Sequence, residues 1–489
     1  MATFLSSDEL LGVLNGFNPW WGGRPASSPP FRRIAYYRCR EFLEHPKLQR
    51  AVMLSGPRRV GKSVILQQIA QDYIKEGRDP KSILYLSLEH PLLKIPNILE
   101  ILRLYHEHIH PAGAPTVLLL DEIHYSPDWD VSLKGLVDQN PEYRILATGS
   151  ATLAAKKALS ESGVGRWVTV PIPTLSFYEF IRIREDAAPD LPAGLSPKTL
   201  FDLDTPSRLK IASDLRPLLP LFQRYLLLGG FPETAKLDDV FLAQRLLRED
   251  VVDRVLKRDM TTLFGVRNVQ ELERLFIYLC YHTGGIFQAS TCASELGVNA
   301  QTVNNHLDLL EQAHLVYRLN PYGMGGKQIL KPRQKVHLVD AAIRNAILMR
   351  SEQVLRDPLE MGMIVESTVL RHIIAYHMRL PVEVCYWRQP KGDKVTGPEV
   401  DVILKAPDQV VPFEVKYRES APMDAKSGLA IFCATEGIDR GYLITKSDQE
   451  FGVTTLANHP TRFMKVPAHV FTYVTGMAEQ TETQTRTNS

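Results

Sequence analysis

The stretch Gly56-Pro57-Arg58-Arg59-Val60-Gly61-Lys62-Ser63 decides the fold of the N-terminal part of this chain. It has the spacing of a phosphate-binding loop, in which two glycines enclose four residues and Lys-Ser follows. An apolar run at residues 51–54 precedes it, and Val64 continues an amphipathic helical pattern. A loop between a buried strand and a helix directs its backbone N–H groups at phosphates. We therefore predict that residues 56–64 bind a nucleotide.

The second half of an ATPase site follows at Thr116-Val117-Leu118-Leu119-Leu120-Asp121-Glu122, an apolar strand that ends in two acids. Lys62 is expected to reach the β- and γ-phosphates, and Ser63 and Asp121 to hold Mg²⁺ directly or through its waters. Glu122 can accept a proton from the attacking water. The predicted cofactors are ATP and Mg²⁺, and the predicted activity is ATP hydrolysis.

Two further residues are candidates for this site. Thr148-Gly149-Ser150 follows the fourth apolar strand, where the hydroxyl of Ser150 would contact the γ-phosphate or the attacking water; a simple helix cap is the alternative. Arg166 stands just before the fifth strand and is the candidate arginine finger for a neighbouring subunit's phosphate. The alternative is a solvated arginine.

Strands alternate with helices over the first third of the chain, which predicts an α/β fold with a parallel sheet covered on both faces. The 489 residues are enough for several domains. In the preceding arm, Trp20 and Trp21 suit either a hydrophobic clasp or a cover for adenine. The predicted domains are an N-terminal arm (1–46), a P-loop ATPase core of AAA type (47–174), a helical lid (175–249), a winged-helix domain (250–345), a nuclease-like α/β domain (346–478) and a disordered tail (479–489).

The charge and hydropathy patterns narrow the partners. A net charge of +2 does not indicate bulk polyanion binding, so any affinity for nucleic acid must come from local patches. The chain opens without a basic-then-apolar leader, and no apolar stretch approaches the ~20 residues that span a bilayer. We expect a cytoplasmic protein with no membrane contact.

A winged helix is predicted from three helical patterns at 271–281, 291–296 and 301–312, with Gly297 in the turn and strands at 315–319 and 335–339. The loop between these strands is rich in glycine and in cations, a composition suited to DNA phosphates. A packing or protein-contact module is the alternative. The candidate nucleic-acid contacts are Lys327, Lys331, Arg333 and Lys335.

A second metal site is predicted in the C-terminal part. Glu366 lies on a helical pattern, Asp401 lies on a strand, and Glu414 and Lys416 share one face of the next strand. This is the PD-(D/E)xK nuclease constellation. Asp401 and Glu414 would coordinate Mg²⁺, Glu366 would complete or buttress the site, and Lys416 would orient the water. A nuclease-like fold without cleavage stays open, because short acid-then-E-x-K patterns arise easily.

From residue 18 to residue 473 the chain resembles a bacterial and archaeal family of AAA-type ATPases with a C-terminal domain of unknown function related to restriction endonucleases. The resemblance implies a nucleotide-driven machine with a winged helix and a nuclease-like domain. The matching motifs are Gly56-Pro57-Arg58 through Lys62, Leu120-Asp121-Glu122-Ile123-His124, Thr148-Gly149-Ser150, Gly165-Arg166, Leu175-Ser176-Phe177-Tyr178-Glu179-Phe180, Gly229-Gly230-Phe231-Pro232-Glu233, Glu399-Val400-Asp401 and Glu414-Val415-Lys416.

Two functions from different classes follow. In the first, the chain is an ATP-hydrolysing DNA-processing enzyme that assembles as a homo-oligomeric ring, a hexamer, and remodels or translocates DNA, including branched DNA. Nuclease activity would accompany this function if the second metal site cleaves. In the second, the chain is a nucleotide-controlled switch whose winged helix binds a partner and whose nuclease-like domain is structural. A transcription regulator fits less well, because it leaves the C-terminal acids without a role.

Overall fold

The computed structural model describes residues 6–149, 165–262, 264–323, 333–389 and 397–487. Two compact units divide the chain, Met1–Ile172 together with Glu482–Ser489, and Pro173–Thr481. Of the predicted site residues, Ser150, Lys327 and Lys331 lie outside the described ranges. Within those ranges, no helix has both the length and the apolarity to cross a membrane.

The first unit contains a five-stranded parallel sheet of order β2-β3-β4-β1-β5, which confirms the predicted α/β core. All residues of β1 and of β3 are buried, as expected of strands covered on both faces. The strands are β1 (Ala51–Ser55), β2 (Ile83–Ser87), β3 (Thr116–Asp121), β4 (Tyr143–Gly149) and β5 (Trp167–Pro171), and the helices are α1 (Ser7–Phe17), α2 (Ile34–Leu43), α3 (Lys62–Lys75), α4 (Ile98–His108) and α5 (Trp129–Gln139).

The N-terminal arm closes the edge strand β2. Asn18 pairs with the backbone of Tyr85 in both directions, donating to its carbonyl (3.0 Å) and accepting from its N–H (2.7 Å). The indole N–H groups of Trp20 and Trp21 both donate to the carbonyl of Ile83, at 3.1 and 3.0 Å. The tryptophans therefore act as a clasp on the sheet edge, where unpaired strand groups would otherwise face solvent.

The second unit is built on a nine-stranded sheet of order β13-β14-β12-β11-β10-β9-β7-β8-β6. Its strands are β6 (Ile286–Phe287), β7 (Val316–Pro321), β8 (Gln334–Leu338), β9 (Glu383–Arg388), β10 (Glu399–Ala406), β11 (Gln409–Val415), β12 (Arg440–Thr445), β13 (Gly452–Thr455) and β14 (Arg462–Pro467). Its helices are α6 (Phe177–Arg184), α7 (Thr205–Leu215), α8 (Leu219–Leu228), α9 (Pro232–Ala235), α10 (Val240–Leu246), the π-helical segment Leu247–Asp259 continued by Met260–Thr262, α11 (Val269–Tyr281), α12 (Ala289–Leu296), α13 (Ala300–Gln312), α14 (Ala341–Ile347), α15 (Pro358–His377), α16 (Gly428–Glu436) and α17 (Ala468–Thr487).

The elements predicted for a winged helix are present as α11, α12, α13, β7 and β8. Gly297 ends α12 with a φ of 70°, and β7 and β8 are antiparallel. The strands also extend into the neighbouring region. Asn320 and Pro321 of β7 pair in parallel with Cys385 and Tyr386 of β9. Wing strands and nuclease-like strands, expected in separate domains, thus belong to one sheet.

The segment predicted as a lid lies in the second unit and shares its hydrophobic core. Phe177 of α6 contacts the ring of Tyr473, with centroids 6.2 Å apart, and Phe201 contacts Tyr442 at 5.1 Å. Aromatic pairs of this kind stabilise a core beyond the area that they bury. The helices at residues 177–246 therefore support the nine-stranded sheet.

Two motifs of the family resemblance meet α15 and the segment before α14. The backbone N–H of Phe177 donates to His372 of α15 at 2.9 Å. The N–H of Gly230 donates to Asp340 at 2.7 Å, and a Cβ at Gly230 would lie 2.6 Å from the backbone nitrogen of Leu175. Glycine is required at this position because the two backbones approach so closely. These motifs hold the second unit together.

The prediction of a disordered tail is wrong for residues 479–487, which continue α17. Their Thr-rich composition suggested disorder, but Glu479, Gln480 and Thr483 are each at most 5% exposed. The side-chain amide of Gln484 also donates to the hydroxyl of Tyr37 at 3.0 Å. Burial of one helix face, which composition alone does not reveal, orders this segment.

Candidate functional site

The predicted phosphate-binding loop connects β1 to α3 with the backbone that such a loop needs. A Cβ at Gly56 would lie 2.2 Å from the carbonyl oxygen of Ile172, so only glycine fits there. Gly61, which precedes α3, has a φ of 94°, and Arg59 has a φ of 63°. Because α3 begins at Lys62, its N-terminal backbone N–H groups lie at the end of this loop.

Two cations contact the carbonyl groups of the loop. The ammonium group of Lys62, 6% exposed, donates to the carbonyl oxygens of Gly56 (3.1 Å) and Pro57 (2.9 Å). Arg33, at the start of α2, donates to the carbonyl oxygen of Val60 at 2.8 Å. Sequence reasoning anticipated Lys62 and missed Arg33, which lies 27 residues before its partner.

Asp121, the last residue of β3, lies between hydroxyl groups from both neighbouring strands. Tyr85 of β2 donates to one carboxylate oxygen at 2.9 Å, and Thr148 of β4 donates to the other at 2.6 Å. Burial and the adjacent Glu122 carboxylate raise the pKa of Asp121, while hydrogen bonds from Ser63, Thr148 and Tyr85 oppose that rise. The parallel register of the sheet brings these side chains together.

Glu122 is held in an unusual backbone conformation beside Asp121. Its φ is 52°, which costs a non-glycine residue about 1 kcal/mol or more. Its N–H donates to the hydroxyl of Thr148 at 2.8 Å, and its carboxylate lies 3.3 Å from Nδ1 of His124. The side chain remains 17% exposed. Thr148 and His124 therefore fix a carboxylate that is suited to accept a proton.

The residues predicted to hold Mg²⁺ in this site fit that ion. Ser63 offers a hydroxyl oxygen and Asp121 a carboxylate oxygen, the hard donors that Mg²⁺ prefers. A divalent cation would offset the burial that raises the pKa of Asp121.

Arg166 lies at the opposite end of the parallel strands from the phosphate-binding loop. It immediately precedes β5, and its carbonyl accepts from the N–H of Ala51, the first residue of β1. Five strand residues span about 17 Å, so Arg166 is remote from the loop of its own chain. Its guanidinium donates to both carboxylate oxygens of Asp138, at 2.9 and 3.0 Å. A role on a neighbouring subunit stays a prediction.

The predicted nuclease centre contains a lysine where sequence reasoning placed a metal ion. The ammonium group of Lys335, on β8, lies 3.3 Å from Glu366 and 3.4 Å from Asp401, and it forms a closer ion pair with Glu399. We call Glu366, Glu399 and Asp401 the acidic cluster. Lys335 is 2% exposed. The structure thus brings Glu366 and Asp401 together around an internal cation.

The charges around Lys335 nearly balance. Arg388 of β9 donates to Glu399 at 2.7 Å, so two cations meet the three carboxylates of the acidic cluster. Burial and the Asp401 carboxylate raise the pKa of Glu366 to about 8, against the opposing effect of Lys335. This raised pKa favours the protonated form of Glu366 and so reduces the negative charge of the acidic cluster. Burial and Lys335 lower the pKa of His337 to about 3, so this neighbour is neutral.

Glu414 and Lys416 form a separate pair, with 2.7 Å between the ammonium and carboxylate groups. Glu414 also accepts from the N–H of Leu429 at 3.2 Å, and burial raises its pKa. In the described part of the chain, no three His, Cys, Asp or Glu side chains are grouped so that they could hold a metal ion. The predicted Mg²⁺ set of Glu366, Asp401 and Glu414 does not fit, because Lys335 already satisfies two of its members.

The predicted DNA contact at Lys335 is wrong, because this side chain is buried and pairs with the acidic cluster. The sequence pattern placed it at the start of a wing strand but could not show which face it occupies. Arg333 is exposed, as a phosphate contact would require. Its backbone carbonyl accepts a hydrogen bond from the hydroxyl of Tyr386. Whether Arg333 contacts DNA stays a prediction.

Several site residues were given no role from the sequence, although His124, Thr148 and Glu399 stand in motifs of the family resemblance. Tyr85 and His124 lie in or beside apolar strands, and only the sheet order brings Tyr85 to Asp121. Glu399 did carry a signal, because residues two apart in a strand share a face and Asp401 was already a candidate. Thr148 was noticed only as part of the motif that ends in Ser150.

Family models match three consecutive parts of the chain. Residues 48–181 match an AAA domain. Residues 219–354 match a domain of unknown function, DUF8612, and residues 361–463 match another, DUF4143. The first match covers the parallel sheet, the loop of Lys62 and the acids of β3, so these parts of the first unit match an AAA domain.

Curated relatives include an uncharacterized protein of Methanocaldococcus jannaschii, 24% identical over 351 residues (70% of each chain). An uncharacterized protein of Haemophilus influenzae is 27% identical over 300 residues, 60% of this chain and 68% of its own. Similar solved structures include the Thermotoga maritima RuvB Holliday junction branch migration motor, with 18% identity, a TM-score of 0.28, and coverage of 58% of this chain and 88% of that one. AMPPCP-bound DnaA from Aquifex aeolicus has 16% identity, a TM-score of 0.24, and coverage of 58% and 89%.

Proposed function

We propose that the chain is an ATPase in which Glu122 activates the attacking water and Lys62 neutralises the phosphates. The observation that carries this proposal is the hydrogen-bond chain from Asp121 through the Thr148 hydroxyl to the N–H of Glu122, with distances of 2.6 and 2.8 Å. It fixes the two neighbouring carboxylates in separate roles, because one is enclosed by hydroxyls and the other faces His124.

During turnover each residue performs one task. Lys62 exchanges its carbonyl partners in the loop for phosphate oxygens, which are stronger charge-assisted acceptors. Glu122 accepts the proton of the water, and His124 holds its carboxylate in place. Mg²⁺ held through Ser63 and Asp121 supplies positive charge to the phosphate oxygens. The Tyr85 and Thr148 hydroxyls keep Asp121 oriented.

We further propose a homo-oligomer, a ring of hexameric type, in which Arg166 serves a neighbour's site. Arg166 stands at the strand end that is remote from its own phosphate-binding loop, so it can reach a γ-phosphate only in another subunit. Its ion pair with Asp138 would then open on assembly. Exchange of one carboxylate partner for a phosphate conserves the charge pairing of the guanidinium.

Two uses of ATP turnover are proposed, and they predict different responses of turnover to DNA. In the first, the cycle remodels or translocates DNA, with Arg333 among the phosphate contacts of the wing. In the second, the cycle is a switch for another partner, and the nuclease-like strands are structural. The internal ion pairs of the acidic cluster favour the second use over DNA cleavage. The exposure of Arg333 favours the first.

The test measures ATP turnover without DNA and with single-stranded, duplex and four-way DNA, together with cleavage in the same samples. DNA remodelling predicts stimulated turnover, and Arg333→Ala should reduce the salt slope of DNA binding by about one unit. Arg356→Ala, an exposed arginine outside the wing, is the matched control. Turnover that ignores all DNA supports the switch. No turnover in any sample, in a protein that binds ATP, contradicts the ATPase proposal itself.

A further inference from the structure

We propose that Lys335 is the built-in cation of the nuclease-like centre, that it takes the place of a divalent metal ion, and that it keeps metal out of this centre. This centre lies within the second unit, and the role of Lys335 does not depend on ATP hydrolysis. Through its ion pairs with the acidic cluster, Lys335 joins the strand β8 to β10 and α15 without a metal ion.

The ammonium group of Lys335 occupies the space between two of the predicted metal ligands. It lies within 3.4 Å of carboxylate oxygens from two elements, Glu366 on α15 and Asp401 on β10, and it pairs more closely with Glu399. A metal ion bridging Glu366 and Asp401 would need the same space between them. Two cations this close together would repel each other strongly in a buried site.

The surroundings of Lys335 show that its position is built and not incidental. The ring of Tyr386 lies 5.6 Å from the ammonium group, within the range of a cation–π contact. The hydroxyl of the same tyrosine donates to the carbonyl of Arg333, two residues before Lys335. On its other side, β8 is paired antiparallel with β7, where Lys335 opposes Leu319. The side chain thus enters the centre from a fixed backbone.

Both carboxylate oxygens of Asp401 have partners within the fold. Asp401 accepts a hydrogen bond from the N–H of Val415 at 2.8 Å with one oxygen and meets Lys335 with the other. Glu414, the other predicted metal ligand, is paired with Lys416. Both acids therefore have their partners within the fold. Removing Lys335 alone would leave buried negative charge without a partner, which is strongly destabilising.

The experiment uses the nucleotide-free full chain and follows Mn²⁺ binding by electron paramagnetic resonance and thermal unfolding. Wild type should show no Mn²⁺ binding that depends on Asp401, and any change of its Tm with Mn²⁺ should be the same in Asp401→Asn. Lys335→Met should lower the Tm, and saturating Mn²⁺ should restore about 5 °C. This recovery should disappear when Asp401→Asn is added. Lys405→Met, an exposed lysine on β10, is the matched control.

Two results would overturn the proposal. One is a Mn²⁺ site in wild type that Asp401→Asn abolishes, and the other is Lys335→Met that unfolds at the wild-type temperature and ignores Mn²⁺. If Lys335→Met does not fold, the double variant Lys335→Met/Glu399→Gln replaces it, because it removes one carboxylate together with the cation and keeps Glu366 and Asp401. That variant should recover folding and gain Asp401-dependent Mn²⁺ binding. A folded double variant without such binding would also contradict the proposal.

Discussion

The phosphate-binding site and the nuclease-like centre use the same kinds of residue in opposite ways. At the first, Lys62 donates to backbone carbonyls, while Asp121 is held by neutral hydroxyls. At the second, Lys335 is paired directly with Asp401 and the other members of the acidic cluster. The first arrangement would let the lysine contact a bound nucleotide and the acid contact the metal ion of that nucleotide. The second satisfies them within the fold, so a motif alone does not determine whether a site recruits a cation.

The largest effects should come from the two residues that make the first site work. Glu122→Gln should reduce ATP turnover by about 10³- to 10⁴-fold while ATP binding persists, because the amide cannot accept the proton. Lys62→Ala should abolish binding itself, since the phosphates lose their charge partner. Turnover assays and equilibrium nucleotide binding distinguish the two variants. Near-normal turnover in Glu122→Gln would show that another group is the base.

Arg166→Ala should reduce turnover by about 10³-fold, which is the lower end of the range for arginine fingers. ATP binding should be unaffected. Mixed oligomers of Arg166→Ala and Lys62→Ala should regain some activity, because each variant supplies what the other lacks. Recovery of activity would indicate that the first site is completed by another subunit, whereas the nuclease-like centre is completed internally.

Two controls decide the role of Arg166. Asp138→Asn releases its ion pair and should leave turnover unchanged if the pair only stores the guanidinium. Arg144→Ala removes an arginine near the start of β4, at the same end of the parallel sheet, and should have little effect. Equal losses in Asp138→Asn and Arg166→Ala would indicate a structural ion pair. Absent complementation, with both variants still oligomeric, would argue against a shared site.

Thr148→Val should reduce turnover by about 10- to 100-fold, because it leaves a carboxylate oxygen of Asp121 and the N–H of Glu122 without their partner. Thr148→Ser keeps the hydroxyl and should retain most activity. Thr116→Val is the matched control, since Thr116 is equally buried at the far end of β3. The prediction fails if Thr148→Val and Thr116→Val have the same kcat.

The last expected effect is on stability and concerns Glu366, whose pKa of about 8 exceeds its ordinary value of 4.5. Between these pH values the folded protein retains a proton that the unfolded chain releases, so the free energy of unfolding falls as pH rises. Glu366→Gln cannot release a proton and lacks this slope. The difference in unfolding free energy between variant and wild type should grow from pH 4.5 to 8 and then remain constant. Parallel curves across this range would contradict the raised pKa.

Much of the first unit was predictable, because each parallel strand is a short apolar run bounded by helical patterns. The strands β1 and β3 lie at the apolar runs that the sequence predicted, β5 begins directly after Arg166, and the motifs identified Lys62, Asp121 and Glu122. Sheet order was not predictable. It determines that Tyr85 from β2 and Thr148 from β4 meet Asp121, through contacts that span 36 and 27 residues.

The second unit was predictable in its elements and not in its connections. Among the described residues, two pairs join β7 to β9, which is too short a pairing to leave a pattern in the sequence. Yet that pairing carries β8 and Lys335 to the acidic cluster. The expected DNA contact at Lys335 was therefore wrong for a tertiary reason, since a cation beside glycines looks the same whether solvent or three carboxylates face it.

The clasp formed by Asn18, Trp20 and Trp21 affects how readily the newly synthesised chain aggregates. It satisfies outer backbone groups of Ile83 and Tyr85 in β2, which would otherwise be a template for strands of other molecules. Since the arm emerges before β2, it is already present when that strand forms. The arm is thus an intramolecular guard against aggregation, and a chain lacking residues 6–22 should form insoluble assemblies even where its nucleotide site is intact.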